Sequence, residues 1–300
     1  MPEDPLKDFL RNKGYEGIFY TLNWPRTALT ERLVNRLFGG IVETLLDLGV
    51  TFDHKIGEES VNAACQWVVD QCGTPIDVHG VDLIPNEGPV LIASNHPGLF
   101  DSMVIISMLQ RQDLKIVAGG VHYFAELPNA RQYLLYLDAE TSTRVLALRG
   151  AIRHLEAGGC VLIFPTGETD PDPDAVPGAR ERLAEWSDSV ALMLRRVPEC
   201  KLVPTAVSGI LNPRYMKHLI TRIQPNPRYR PRVAELMQIF AQFRKPGLPP
   251  LSKPRVTFGQ AITGGELLTR GGKSDLMRHV RMLAENILEE HLYYSLEGIS

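Results

Sequence analysis

The chain of 300 residues is 44% hydrophobic and 22% charged with a net charge of −3, the balance of a globular protein long enough to bury one large core. It has no run of about 18 apolar residues, so no transmembrane helix is read, and Met1-Pro2-Glu3-Asp4 lacks the basic start and apolar stretch of a signal peptide. Cys65, Cys72, Cys160 and Cys200 show no CxxC spacing and read as reduced intracellular thiols, not zinc ligands or disulfides.

The first 73 residues read as helical. Asp4 to Lys13 is a short helix closed by Gly14. A longer one, capped by Thr27 or Thr30, runs to Leu48 and closes at Gly49. Its apolar positions Leu33, Val34, Leu37, Phe38, Ile41, Val42, Leu45 and Leu46 repeat at three and four. Such a face either packs on the rest of the chain or docks on a bilayer interface. Glu58 to Cys72 is a third helix, closed by Gly73 and Pro75.

From residue 76 strands and helices alternate. Ile76 to Val78 and Val90 to Ser94 read as strands, and Asp101 to Gln110 as a helix. Lys115 to Ala118 and Leu134 to Leu137 are strands, Ser142 to Ala157 a helix, and Cys160 to Phe164 and Leu202 to Val207 strands. This alternation predicts an α/β fold with a mostly parallel central sheet covered by helices. It also divides the chain into an N-terminal helical segment, 1–74, and an α/β domain, 75–300. In such sheets ligands bind beyond the carboxyl ends of the strands. His96, Thr166 and Thr205 fall just after apolar strand runs and are expected to meet at one cleft.

Residues 168–180 are rich in Pro and Asp without an EF-hand pattern, and read as a solvated loop beside the cleft. Residues 195–255 hold thirteen Lys and Arg against Glu199 and Glu235, a balance of +11 that leaves −14 for the rest. That asymmetry points to an anionic partner, or else to a solvated surface with scattered cations. No nucleic-acid-binding motif accompanies it, so nucleic acid is not an expected partner. A helix from Val233 to Phe243 lies inside this stretch, and a last helix is predicted from about Ser274 to Tyr293. No GxSxG, P-loop or dinucleotide fingerprint is present.

Chemistry concentrates in Ser94-Asn95-His96-Pro97-Gly98-Leu99-Phe100-Asp101, where a strand meets a turn. A neutral imidazole takes a proton from a hydroxyl. A carboxylate on its other nitrogen fixes the tautomer and stabilises the imidazolium that forms. The pair can also be metal ligands, but no third ligand lies nearby in sequence.

Asn95-His96-x4-Asp101, preceded by Gly80-Val81-Asp82-Leu83-Ile84-Pro85 and Gly88-Pro89-Val90-Leu91-Ile92-Ala93-Ser94, resembles the glycerolipid acyltransferases of the 1-acylglycerol-3-phosphate acyltransferase type. Tyr136-Leu137-Asp138 is similar to that family's second block, Phe164-Pro165-Thr166-Gly167-Glu168 to its third and Val203-Pro204-Thr205-Ala206 to its fourth. Val256-Thr257-Phe258-Gly259 is similar to its late strand. The resemblance covers roughly residues 75 to 290. It implies transfer of an acyl chain from a thioester to a hydroxyl, with His96 and Asp101 catalytic and backbone N–H groups around Asn95 to Leu99 as candidates for the oxyanion site. It also implies substrate binding by Asn95, Gly98, Arg144, Phe164, Pro165, Thr166, Gly167, Glu168 and Pro204, with no metal and no cofactor.

The departures concern the acceptor. The family's third block usually reads Phe-Pro-Glu-Gly-Thr-Arg, whose Glu and Arg help hold the acceptor's phosphate. Here Thr166 replaces that Glu, and Asp170 stands where the Arg would be. The second block usually ends Ile-Asp-Arg, and here Ala139 follows Asp138. Arg144 is the nearest candidate for the missing cation. Relatives acting on other acceptors, such as lyso-ornithine lipids, carry a Phe-Pro-x-Gly-Glu block closer to this one. The implied donors are acyl-CoA or acyl-carrier protein, and the implied acceptors lysophosphatidic acid or glycerol-3-phosphate, with another lipid hydroxyl, or a non-catalytic lipid-binding member, as alternatives. The implied setting is phospholipid biosynthesis in the cytoplasm, peripheral on the cytoplasmic membrane surface. Coenzyme A phosphates, an acidic carrier or anionic headgroups would each suit the basic segment.

Overall fold

Val90–Ser94 is buried at all five positions, and its side chains alternate between two cores: Val90 and Ile92 in one, Leu91 and Ala93 in the other. That pattern belongs to a strand covered on both faces. The computed structural model describes residues 5–71, 75–119, 122–137, 141–244 and 252–297.

Three helices come first: α1 (Pro5–Leu22), α2 (Ala28–Glu58) and α3 (Val61–Gln71). There follow β1 (Asp77–His79), β2 (Val90–Ser94), α4 (Asp101–Met108), β3 (Leu114–Gly119), α5 (His122–Ala125), β4 (Leu134–Leu137), α6 (Thr141–Glu156) and β5 (Cys160–Ile163). The second half adds α7 (Ala179–Arg182), α8 (Ser189–Arg196), β6 (Lys201–Ser208), α9 (Pro213–Met216), α10 (Leu219–Ile223), α11 (Arg230–Arg244), β7 (Arg255–Phe258), β8 (Ile262–Thr263) and α12 (Gly264–Glu297). The sheet order is β1-β7-β6-β2-β5-β3-β4, with β8 also on β6. Pairing is parallel except for β7 and β8, which run antiparallel to β6. The expected α/β fold with a mostly parallel sheet and an N-terminal helical segment is what the chain adopts.

Pro204 sits inside β6, where a missing N–H would normally break a ladder. It is tolerated because β8 pairs with Lys201 and Leu202 and β7 only from Thr205 onward, leaving a gap opposite the proline. The Pro204 carbonyl on that side accepts the Gly259 N–H at 2.8 Å.

Two glycines expected to end helices lie within them. α1 runs through Gly14, where a Cβ would approach Val42 Cγ1 to 3.2 Å. α2 runs through Gly49, which is a glycine because a Cβ there would collide with the Tyr123 hydroxyl, itself donating to the Leu45 carbonyl at 2.9 Å. Both are close-approach glycines, and burial of the α2 stripe from Val34 to Ile56 outweighs their poor helix propensity. The N-cap is Thr27, closed by reciprocal bonds with Thr30. α2 extends to Glu58, so the third helix begins later than expected, at Val61; Cys72, Gly73 and Thr74 lie outside the described residues. α12 begins well before Ser274, at Gly264, where Thr263 and Glu266 exchange capping bonds.

The N-terminal helices share cores with the rest of the chain. Leu10, Leu46, Phe52, Ile56 and Val68 join Val90 and Ile92, while Ile18, Val34 and Phe38 join Leu211, Val233 and Met237. The apolar face of α2 is therefore divided. Val34, Phe38, Ile41, Val42 and Leu46 are buried, whereas Leu29, Leu33 and Leu37 remain 77%, 42% and 47% exposed.

Candidate active site

His96 lies just past β2, and Asp101 opens α4. Asp101 is fully buried, and its Oδ2 meets His96 Nδ1 at 2.7 Å. The same oxygen accepts the Gly98 N–H at 3.1 Å, and Oδ1 accepts the Ser102 N–H at 2.5 Å. With Nδ1–H donating to the carboxylate, Nε2 is the nitrogen left with a lone pair for an incoming hydroxyl. The His96 ring stacks on Phe164, at the end of β5, with centroids 4.4 Å apart, and its side chain stays 27% exposed. Burial by itself lowers the His96 pKa, but Asp101 first, then Asp170 and Glu235, outweigh it and raise it above the ordinary histidine value.

The loop around the dyad is held by carboxylates. The His96 N–H donates to Asp170 Oδ2 at 2.9 Å, and the Asp170 N–H returns to the His96 carbonyl at 2.7 Å. The Leu99 N–H donates to Glu235 Oε1, from α11, at 2.6 Å. Pro97 has no N–H. The N–H groups of His96, Gly98 and Leu99, expected as oxyanion donors, are thus each bound to a carboxylate. For these three donors that expectation is corrected: they hold the loop together.

Asp170 and Asp172 also correct the reading of 168–180 as a solvated loop. They are 3% and 1% exposed. Asp172 accepts from the Gly209, Leu211 and Asp174 N–H groups at 2.8–3.0 Å, and its burial pushes its pKa up to about 6. Asp172 persists at this depth because backbone N–H groups satisfy both its oxygens, whereas Asp170 has one oxygen on the His96 N–H and the other 3.4 Å from the Arg182 guanidinium.

The sequence-predicted site residues fall into three groups. Phe164, Pro165, Thr166, Gly167 and Glu168 follow β5 as a turn in which Gly167 takes φ +68°, the Gly167 N–H returns to the Phe164 carbonyl at 3.0 Å, and Thr166 Oγ1 donates to the Glu168 carbonyl at 2.9 Å. This turn meets the dyad through Phe164 and Asp170. Asn95 and Gly98 are framework just past the end of β2, and Pro204 is framework inside β6, opposite Ala93. The Asn95 side chain donates to the Val207 carbonyl and accepts the Val207 N–H, both at 2.8 Å, bridging β2 to β6. Thr205, expected beyond a strand end, lies within β6 opposite Ser94 because β6 continues to Ser208. Arg144 stands exposed near the start of α6, and Asp138 and Ala139 lie outside the described residues.

Two residues escaped the sequence reading. Arg182, on α7, lies 3.4 Å from both Glu168 and Asp170 and also pairs with Glu185. No block spacing marks it. Glu235 carried a faint signal, as one of two acids in a strongly basic stretch, set between the apolar pairs Val233-Ala234 and Leu236-Met237. Among the described residues no three His, Cys, Asp or Glu side chains are arranged to hold a metal, and no helix is long and apolar enough to cross a membrane.

Residues 75–208 match the Acyltransferase family, a stretch that holds the dyad, the third block and the fourth. That match assigns an acyltransferase activity to the stretch. Comparison with curated proteins finds no match. Among solved structures, the crystal structure of the 1-acyl-sn-glycerophosphate (LPA) acyltransferase, PlsC, from Thermotoga maritima is similar, at 17% identity over 95% of each chain with a TM-score of 0.45.

Proposed function

We propose that the protein moves a fatty acyl chain from a thioester, acyl-CoA or acyl-carrier protein, directly to a hydroxyl of a glycerolipid acceptor. The observation that carries this reading is the 2.7 Å contact between His96 Nδ1 and the buried Asp101 carboxylate. His96 Nε2 takes the hydroxyl proton as the oxygen attacks the thioester carbonyl. The C–O bond forms, the C–S bond breaks, and the proton passes from His96 to the leaving thiolate. Asp101 keeps the imidazole oriented and stabilises the imidazolium between the two transfers. A thiolate leaves readily, so the step needs no covalent acyl-enzyme.

The acceptor divides the reading. Lysophosphatidic acid or glycerol-3-phosphate requires cations at the third block, with Arg144 and Arg182 as the candidates. An acceptor bearing an amine or only hydroxyls, such as a lyso-ornithine lipid, is favoured by one observation. Arg182 is already shared among Glu168, Asp170 and Glu185, so this guanidinium is engaged by three carboxylates rather than held in reserve for a phosphate. A buried phosphate without spare cations is costly. A panel of two donors against phosphate, amine and neutral acceptors tests both versions. Turnover only with phosphate acceptors, weakened by Arg144→Ala or Arg182→Ala, supports the first. Turnover with amine acceptors, altered by Glu168→Gln, supports the second. Binding of lipid without turnover in any pairing would leave a non-catalytic member.

Peripheral attachment to a membrane surface, on the cytoplasmic side, belongs to the same proposal. Leu29, Leu33 and Leu37 on α2 and Leu219 and Ile223 on α10 are exposed, the last two at 71% and 65%. Gln224, at the end of α10, donates to the Leu22 carbonyl at 2.8 Å, which ties α10 to the turn between α1 and α2. Exposed apolar residues beside Arg222 and Lys217 suit an anionic headgroup layer. Co-sedimentation with anionic vesicles at low salt, released by high salt, is the expected result; no sedimentation at low salt would remove the claim.

A further inference from the structure

We infer that Glu235 is a positioning residue for the transfer: it fixes the loop between His96 and Phe100 from outside the matched stretch and, when ionised, supplies negative charge behind the His96–Asp101 pair. This rests on the acyl-transfer reading given above. Three observations carry it. Glu235 is 6% exposed, and its Oε1 accepts the Leu99 N–H at 2.6 Å. Gly98 makes room for it, since a Cβ there would sit 2.5 Å from Glu235 Oε1 and 2.8 Å from Ile210 Cγ2. One turn further along α11, Gln238 Oε1 accepts the Asn212 N–H at 2.7 Å and Nε2 donates to the Ile210 carbonyl at 2.8 Å. α11 thus grips two of the loops at the carboxyl ends of the strands, through polar side chains on its buried face.

A surface carboxylate could hold a loop as well as a buried one does. Burial adds charge that is poorly screened by water. The charged groups acting on Glu235 are Asp101 and His96 from the dyad and Asp172 from the loop after β5. Burial, chiefly, pushes the Glu235 pKa up to about 7, and the Leu99 N–H pulls against that. Glu235 therefore exchanges a proton near neutral pH, and when ionised it raises the basicity of His96.

The test separates the two effects. Glu235→Ala removes both anchor and charge, and kcat should fall by up to about 10²-fold, the scale of a misplaced catalytic group, with little change in KM for the thioester. Gly98→Ala should produce a similar loss, because its Cβ forces the same loop away. Glu235→Gln keeps an oxygen for Leu99 and should retain most of kcat, but the acid limb of kcat/KM should move to lower pH. NMR titration of the His96 ring should show the same downward shift in Glu235→Gln. That readout needs no turnover, so it judges Glu235 even if no thioester is a donor, a result that would overturn only the acyl-transfer reading. An unshifted His96 midpoint in Glu235→Gln, or unchanged kcat in Glu235→Ala, would overturn the proposal.

Discussion

His96 and His291 sit at opposite ends of one electrostatic argument. Both lie at the sheet and both make hydrogen bonds through their rings. His96 faces Asp101, with Asp170 and Glu235 behind it, and is raised above the ordinary histidine value although burial opposes this. His291, fully buried on α12, hydrogen-bonds through its ring to hydroxyls: Thr257 Oγ1 at 2.8 Å from Nδ1 and Ser208 Oγ at 2.8 Å from Nε2. Ser208 uses its own hydrogen on Asp174 Oδ2 at 2.7 Å, so Nε2 must be the protonated nitrogen and Nδ1 accepts from Thr257. Burial first, then Arg255 and His79, push its pKa down to about 3. The same side chain is thus a base where carboxylates surround it and a fixed neutral post where hydroxyls and cations do.

The largest expected effect comes from removing the proposed base. His96→Ala should cut kcat by about 10²–10⁴-fold with the melting temperature little changed, as shown by activity and calorimetry on the same preparation. Near-normal turnover at neutral pH would end the comparison, since His96 would then be no more functional than His291. Asp101→Asn tests the partner. An amide can occupy the same place but cannot stabilise the imidazolium, so turnover should drop sharply while thioester binding persists. Equal losses of binding and stability would mark Asp101 as structural only.

His291 should respond in the opposite way. His291→Ala leaves a cavity and strands the Ser208 and Thr257 hydroxyls, and a loss of about 2–4 kcal/mol in unfolding free energy is expected. The fraction that remains folded should turn over at the wild-type rate. A large fall in kcat with intact stability would mean that the buried chain from Asp174 to Thr257 reaches the chemistry.

The two regions were also unequally legible. β2 and β4 were readable to the residue, because short apolar runs bounded by turn residues have few other uses. The contact between His96 and Asp101 was legible because the two lie five residues apart in one short loop, within a stretch that resembles the family's first block. Gly14 and Gly49 misled because a glycine that ends a helix and one that admits a neighbouring helix or a tyrosine look alike in sequence. Asp170 and Asp172 read as solvated because acid spacing says nothing about the N–H groups that later surround them. Glu235 lies far along the chain from His96, and His291 farther still, so only the fold joins either to its partners.

The smallest effect is a tilt in stability with pH, and it sharpens the contrast because the two regions tilt oppositely. His291 is held to about 3, whereas an unfolded histidine titrates near 6.5. Below pH ~6.5 the unfolded chain binds a proton that the folded one refuses, so this contribution to stability is complete above ~6.5 and is lost as pH falls, by about 1.4 kcal/mol per unit at most. Glu235 is held up to about 7 against an unfolded value near 4.5. Between those values the folded chain keeps a proton that the unfolded one has released, so its contribution is complete below ~4.5 and is lost as pH rises toward 7, with the same limiting slope. Asp172 tilts in the Glu235 direction and His96 is raised as well, so the wild-type curve mixes the signs. Substitution separates them. The wild-type advantage in unfolding free energy over His291→Gln should shrink as pH falls from 6.5 to 4, whereas the difference between wild type and Glu235→Gln should move against wild type as pH rises from 4.5 to 7. Urea unfolding at each pH gives both differences. Parallel tilts would mean that one of these two buried groups has been assigned the wrong charge.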